Sequence, residues 1–272
     1  MIRAALYSML GRFVFPNKGI THIKRNPQLI VSLTSYPGRI HVVEQAIDSI
    51  LRQSLKPDMV ILWLAESQFP KQMKSLPKSL RRYLKHGLQI RWCEDIRSYK
   101  KLIPALREFP DDIIVTTDDD VIYDEKWLET LYVSYLKHPD EIQCHHAFDY
   151  VFEDNVGLVS STIIKNAGAL KNCSMAIGIG GILYPPHSLD SDVVRQDLFW
   201  KLAETNDDFW FWAMAKLKGT EIRLIDGFND NIICIDGTQE QGLWVDENSK
   251  GEGNLQFKNI LEHYPQLKQY LA

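Results

Sequence analysis

The sequence predicts an α/β fold in which a mostly parallel central sheet is flanked by helices. Three observations carry that prediction. Strand-length segments recur at residues 29–33, 59–64, 89–93 and 113–117, the first, second and fourth of them largely apolar. The stretches between them carry helical periodicity or turn residues, and strands alternating with helices call for right-handed crossovers and parallel pairing. The composition, 45% hydrophobic and 24% charged over 272 residues, supplies a large core and excludes a disordered chain.

In chain order, residues 29–33 read as a buried strand, and Thr34-Ser35-Tyr36-Pro37-Gly38 after it is turn chemistry. Residues 39–53 place Val42, Val43, Ala46, Ile47, Ile50 and Leu51 on one face, which is the pattern of a helix. Residues 59–64 form the second strand, residues 78–85 a helix ending near Gly87, and residues 89–93 the third strand. A short helix over 99–108, with Pro104 in its first turns, leads to the fourth strand at 113–117. A helix is expected at 127–136, strands at 142–148, 222–225 and 232–235, and an aromatic helix at 207–218 that Gly219 stops. With no repeat, low-complexity stretch or linker, residues 29–272 read as one domain whose sheet is extended by the later strands.

Charge and cysteine usage narrow the classes. Lys plus Arg total 31 against 35 Asp plus Glu, a net charge of −4, which lacks the basic footprint of a nucleic-acid binder. The four cysteines (Cys93, Cys144, Cys173, Cys234) form no C-x-x-C pair, which argues against a zinc ribbon or a disulfide scaffold and for free thiols in a reducing, cytoplasmic setting. No apolar run approaches the ~20 residues of a membrane span. Residues 1–28 mix apolar side chains with Arg3, Arg12, Lys18, Lys24 and Arg25. Two readings stand: a basic amphipathic segment peripheral to a membrane, or a short helix docked on the domain.

In open α/β sheets ligands sit beyond the carboxyl ends of the strands. Residues 34–39, 94–101 and 118–120 are therefore expected to converge. At the last of these, Thr116-Thr117-Asp118-Asp119-Asp120 follows an apolar strand, with Val121-Ile122-Tyr123 behind it. Three adjacent carboxylates repel one another unless a cation is present, and oxygen-only ligands suit Mg2+ or Mn2+. An EF-hand is excluded because Ile122 would occupy its fifth position. Lys100 and Lys101 are expected to open the helix before this strand, where cations are disfavoured by the dipole unless an anion binds; a solvated basic pair is the alternative. Asp207 and Asp208 begin a helix that is apolar all round. Acids in a first turn can act as caps, yet this helix must be buried, so its start opens into a cleft where a carboxylate can serve as a base.

These residues carry a resemblance. An Asp-x-Asp set late in an N-terminal α/β half, together with Val31-Ser32-Leu33-Thr34-Ser35-Tyr36-Pro37-Gly38-Arg39, Tyr99-Lys100-Lys101-Leu102-Ile103-Pro104, Gly180-Gly181-Ile182-Leu183-Tyr184-Pro185-Pro186 and Asp207-Asp208-Phe209-Trp210, resembles the A-type-fold glycosyltransferases. The nearest likeness is to bacterial family-2-like enzymes that build surface polysaccharides, and it spans residues 29–265. The resemblance implies a Rossmann-like domain with a nucleotide-binding half, 29–123, and an acceptor-binding half, 124–272. It implies that Thr34, Ser35, Tyr36, Arg39, Glu94 and Asp95 hold base and ribose. Lys100 and Lys101 would meet the diphosphate, Asp118 the ribose or metal, Asp119 the donor, and Asp120 the metal directly. Gly180 and Gly181, with Gly178, would let the backbone approach the sugar. Asp208 would deprotonate the acceptor hydroxyl, with Asp207 the fallback.

The implied activity is transfer of a hexosyl or N-acetylhexosaminyl group from a nucleotide-sugar, UDP-linked by preference, to a glycan or lipid-linked glycan. It would take place in the cytoplasm or on the inner face of the membrane, in polysaccharide or lipopolysaccharide synthesis, with Mn2+ or Mg2+. The Asp-Asp pair stands where Glu-Asp is usual and no Gln-x-x-Arg-Trp set follows, which argues against a processive synthase and leaves inversion or retention open. A sugar-nucleotide nucleotidyltransferase and a non-catalytic metal-dependent nucleotide- or carbohydrate-binding module are the competing readings. His187 and His263 are candidates for a further metal ligand, at most one of His145 and His146 could ligate, and residues 239–254 read as a lid.

Overall fold

The computed structural model describes residues 18–153, 157–225, 232–238 and 252–271. Its main sheet is built first from β1 (Leu29–Thr34), β2 (Met59–Ala65), β3 (Leu88–Cys93) and β4 (Ile113–Thr117). Strands β2 and β4 are buried along their whole length and β1 at all but its last residue, as parallel strands covered on both faces must be. The later strands are shorter: β5 (Val121–Ile122), β6 (Ile142–Cys144), β7 (Ala147–Glu153), β8 (Gly157–Ile163), β9 (Gly168–Ala169), β10 (Ser174–Ala176), β11 (Ile182–Tyr184), β12 (Ile222–Leu224) and β13 (Ile233–Cys234).

Eight strands form one sheet in the order β3-β2-β1-β4-β11-β6-β12-β9. The first four are parallel, β11 runs antiparallel between β4 and β6, and β12 returns parallel to β6. A three-stranded antiparallel sheet, β10-β7-β8, and the pair β13-β5 lie beside it. The helices are α1 (Val43–Leu51), α2 (Lys78–Arg81), α3 (Ile103–Glu108), α4 (Trp127–Lys137), α5 (Gln196–Leu202), α6 (Asp207–Lys218) and α7 (Glu252–His263). None of the helices among the described residues is long and apolar enough to cross a membrane.

The two faces of the sheet make two cores, because side chains alternate along each strand. Leu29, Val31 and Leu33 of β1 pack with Val43, Ile47 and Ile50 of α1 and Trp127 and Leu131 of α4. Ile30, Ile61 and Trp63 face the other way, into the cluster that holds Tyr99, Phe199 and the aromatic stretch Phe209–Trp212. Helix α6 is thus buried all round.

Four expected elements differ, one of them the helix at 99–108, which is split into the 3-10 turn Arg97–Lys101 and α3. The helix expected at 39–53 is confined to α1, because Arg39 and Ile40 both donate to the Tyr36 carbonyl and spend the preceding residues on a turn. The helix at 78–85 tightens after Arg81 into a 3-10 turn, Arg82–His86, ended by Gly87 at φ +98°, where Ile20 leaves no room for a Cβ. The strand expected at 142–148 breaks at His145-His146: β6 stays in the main sheet, whereas β7 joins the second sheet and presents Phe148, Tyr150 and Phe152 to one face. Tyr150 and Phe152 stack there on Phe209 and Phe257.

Candidate active site

The acidic turn joins β4 to β5, at the carboxyl end of the parallel strands. Asp119 points inward: its carboxylate accepts from Ser35 Oγ at 2.6 Å and from Arg39 at 3.0 Å. The same guanidinium lies 2.9 Å from Asp120 and donates to the Thr238 carbonyl at 2.9 Å. Burial, and then the negative charge of Asp118, push the Asp120 carboxyl up to about 6. Asp118 is the most accessible of the three; its backbone N–H donates to the Tyr123 hydroxyl at 2.9 Å.

Lys101 joins this turn to the start of α6. Its buried ammonium lies 3.0 Å from Asp118 and 3.1 Å from Asp207. Burial opposes the charge, but Asp118, Asp207 and Asp208 outweigh it and hold the lysine firmly protonated. Asp208 accepts the Gly178 N–H at 3.2 Å. Burial, and then Asp207, push its carboxyl up to about 7. A Cβ on Gly178 would lie 2.7 Å from Lys101 Nζ, 3.3 Å from Asp208 and 3.7 Å from Asp118, so both carboxylate sites meet at this glycine.

The other expected residues fall as follows. Thr34 donates its hydroxyl to the Trp63 carbonyl at 2.9 Å, and Tyr36 lies half-buried beside the Arg39 guanidinium. Asp95 receives Lys100 at 2.6 Å and Gln68 at 2.7 Å; burial disfavours its charge, but Lys100 prevails and keeps its pKa below the usual carboxylate range. Lys100 and Lys101 do not open a helix. They close the 3-10 turn Arg97–Lys101, and each is held by a carboxylate, so no free anion is required to explain them. Glu94 is exposed and receives Gln196 at 3.0 Å.

Gly180 and Gly181 face the protein rather than the crevice. A Cβ at Gly180 would strike His146 at 2.6 Å, and one at Gly181 (φ +82°) would strike the Trp127 ring at 2.4 Å. His187 pairs with Asp111 at 2.8 Å, beside the opposite end of β4 from the acidic turn, and His263 stacks on Tyr264. His145 and His146 do diverge: the first bonds the Trp127 carbonyl at 3.1 Å, and the second packs on Phe148. Of the expected lid, residues 239–251 lie outside the described residues, as do residues 1–17 of the basic N-terminal segment.

Whether the donor set suits a divalent cation can be judged from charge. Among the described residues no three His, Cys, Asp or Glu side chains are already grouped as ligands. Yet the five carboxylates Asp118, Asp119, Asp120, Asp207 and Asp208 lie close together, and among the described residues Arg39 and Lys101 are cations that pair with them. The like-charge push on Asp120 and Asp208 records that crowding. Asp118 and Asp120 offer oxygen donors to a cation that would relieve it, so the residues fit.

No family model matches the chain, and no curated protein is similar to it. Among solved structures, TarS residues 1–349 from S. aureus give a TM-score of 0.53 at 11% identity, over 88% of this chain and 73% of that one. The mannosyltransferase PcManGT from Pyrobaculum calidifontis, in complex with GDP-Man and Mn2+, gives 0.48 at 15% identity over 97% and 77%. CMP:2-keto-3-deoxy-manno-octonic acid synthetase complexed with CTP gives 0.46 at 10% identity over 81% and 98%. This chain therefore shares with TarS an α/β, Rossmann-like fold, a mostly parallel central sheet flanked by helices.

Proposed function

We propose that the protein transfers a sugar from a nucleotide-sugar to an acceptor hydroxyl, with Asp208 as the general base. The observation that carries this reading is the meeting of Asp118, Asp207 and Asp208 around Lys101 and Gly178. A carboxyl held up to about 7 by burial and by Asp207 is matched to taking a proton near neutral pH. Asp207 fixes the Lys101 ammonium, and Lys101 spans the gap between the acidic turn and the base. Gly178 fixes the base through its N–H and, having no side chain, leaves room for the Lys101 ammonium, which a Cβ would meet at 2.7 Å.

Asp118 and Asp120 would hold Mn2+ or Mg2+. A divalent cation there supplies positive charge against the departing diphosphate. Arg39 and Ser35 hold Asp119, the same guanidinium pairs with Asp120, and Thr34, Tyr36 and Asp95 sit at the strand ends where base and ribose would lie. On this reading residues 29–123 bind the nucleotide, UDP by preference, and residues 124–272 bind a glycan or lipid-linked glycan in polysaccharide synthesis. The setting is the cytoplasm, with residues 1–28 available for membrane contact. A binding module has no use for a base, so the raised Asp208 carboxyl favours an enzyme over that alternative.

The test is a screen of nucleotide-sugars for thermal stabilisation and hydrolysis, with and without Mn2+, on the wild type, Asp120→Asn and Asp208→Asn. Stabilisation by one nucleotide class, lost in Asp120→Asn, with turnover lost and binding kept in Asp208→Asn, supports the reading. Turnover in Asp208→Asn equal to wild type removes the base.

A further inference from the structure

We infer that Trp127, a residue that touches neither carboxylate site, positions both of them. The inference rests on the function proposed above and adds a positioning residue to it. Trp127 opens α4 and is 2% exposed. Its indole N–H donates to the Gly180 carbonyl at 2.8 Å, and its ring is the wall against which Gly181 is pressed. His146 closes the other side of Gly180. The 3-10 turn Gly178–Gly180 is therefore clamped at its C-terminal end, while its first residue delivers the N–H that holds Asp208.

The same ring stacks on Tyr123 with centroids 4.4 Å apart, and the Tyr123 hydroxyl accepts the backbone N–H of Asp118. One indole thus supports the acidic turn through Tyr123 and the base through the glycine turn. It is itself held: the Trp127 carbonyl accepts from His145 Nε2 at 3.1 Å and from the Thr130 hydroxyl at 2.9 Å. Burial depresses His145 to about 4, so the imidazole stays neutral and this support does not change across the working pH range.

The Gly178 N–H favours the ionised form of Asp208, so freeing the turn raises the pH at which Asp208 titrates. The groups facing Asp208 from other elements are Lys101, Asp118 and Tyr99, with Tyr150 on β7 and Tyr184 on β11; Asp207 is its neighbour on α6. Of these Asp118 is linked to Trp127, through Tyr123, and a phenylalanine at 127 keeps a ring against Tyr123.

The test is Trp127→Phe, which keeps a ring against Tyr123 and removes the N–H. Its comparator is Tyr264→Phe, because Tyr264 is buried and its hydroxyl donates to Asp192 at 2.7 Å, away from both carboxylate sites. Trp127→Phe is expected to lower kcat by about tenfold to a hundredfold, the cost of a small misplacement, with donor KM little changed. The Asp208 midpoint, followed by carboxyl carbon NMR, is expected to rise by about half a pH unit or more. Tyr264→Phe is expected to lower Tm while leaving kcat and the Asp208 midpoint at wild-type values.

Gly181→Ala perturbs the same contact from the loop side, and matching effects there support the inference should Trp127→Phe fold poorly. The NMR midpoint needs no turnover, so it decides the inference even if no donor is found, an outcome that would count against the proposed function alone. An Asp208 midpoint in Trp127→Phe and Gly181→Ala identical to wild type overturns the role of Trp127.

Discussion

Replacing Lys101 with methionine tests the centre of the site most directly. The ammonium is 6% exposed and lies 3.0 Å from Asp118 and 3.1 Å from Asp207. At an effective dielectric of about 20, each contact is worth about 5 kcal/mol of attraction, against which stands the cost of burying the three charges. Removing one partner of such a group leaves the others uncompensated, and the expected loss is about 3–5 kcal/mol. For a chain of this size, at roughly 2–4 °C per kcal/mol, Tm falls by about 6–20 °C.

The pH dependence has a defined sign. Asp208 titrates above its ordinary 3.8 in the folded protein, so the folded form binds more protons than the unfolded one between roughly 4 and 7, and stability rises as pH falls through that window. Losing Lys101, which favours the ionised form, enlarges that rise. Calorimetry across pH 5–8 measures both effects. The discriminating outcome is a reversal of sign: Asp207→Asn destabilises the wild type, which loses an ion pair, but stabilises Lys101→Met by removing an unpaired charge. Lys101→Met melting within about 1 °C of wild type, or no reversal, refutes the geometry.

Two further outcomes follow from the same contacts. Asp207→Asn removes the largest charge that raises Asp208, so the acidic limb of the pH–rate profile, where activity appears as Asp208 ionises, moves to lower pH; an unmoved limb assigns it to another group. Gly178→Ala puts a methyl group 2.7 Å from Lys101 Nζ, and is expected to cut turnover at least tenfold while far-ultraviolet circular dichroism stays native; activity within about twofold of wild type would show that the room left for Lys101 is not needed.

β1, β2 and β4 were legible because each is a largely apolar run, the mark of burial on both faces, whereas β3 carries Gln89 and Arg91 and is half-buried. The edge and inserted strands were not, since β9, β10 and β11 are two or three residues long and β8 alternates weakly through glycine and serine. Carboxylates at strand and helix ends could be read from their flanks. Their partners could not: Arg39 meets Asp119 across 80 positions and Thr238 across 199, separations at which local pattern says nothing. Gly180 and Gly181 were legible as residues needing close approach, but only the fold shows that the approaching groups are His146 and Trp127. Trp127 itself looked like any apolar first-turn residue, and only its pairing with the glycine loop distinguishes it.

The sequence left Asp207 and Asp208 with two explanations, a cap for α6 or a chemical group, and the structure assigns the cap to another residue. The cap is Asn206, whose side chain accepts the Phe209 N–H at 3.1 Å. The helix start is therefore satisfied without either aspartate, and the favourable end of the dipole would be served by one exposed carboxylate. Instead two carboxylates are brought together with a third from β4 at a buried lysine, at a cost recorded in the upward push on Asp208. On the function proposed above, an arrangement that gives up stability where a simpler one would fold the helix equally well has a use: a raised carboxyl is one that can accept a proton near neutral pH.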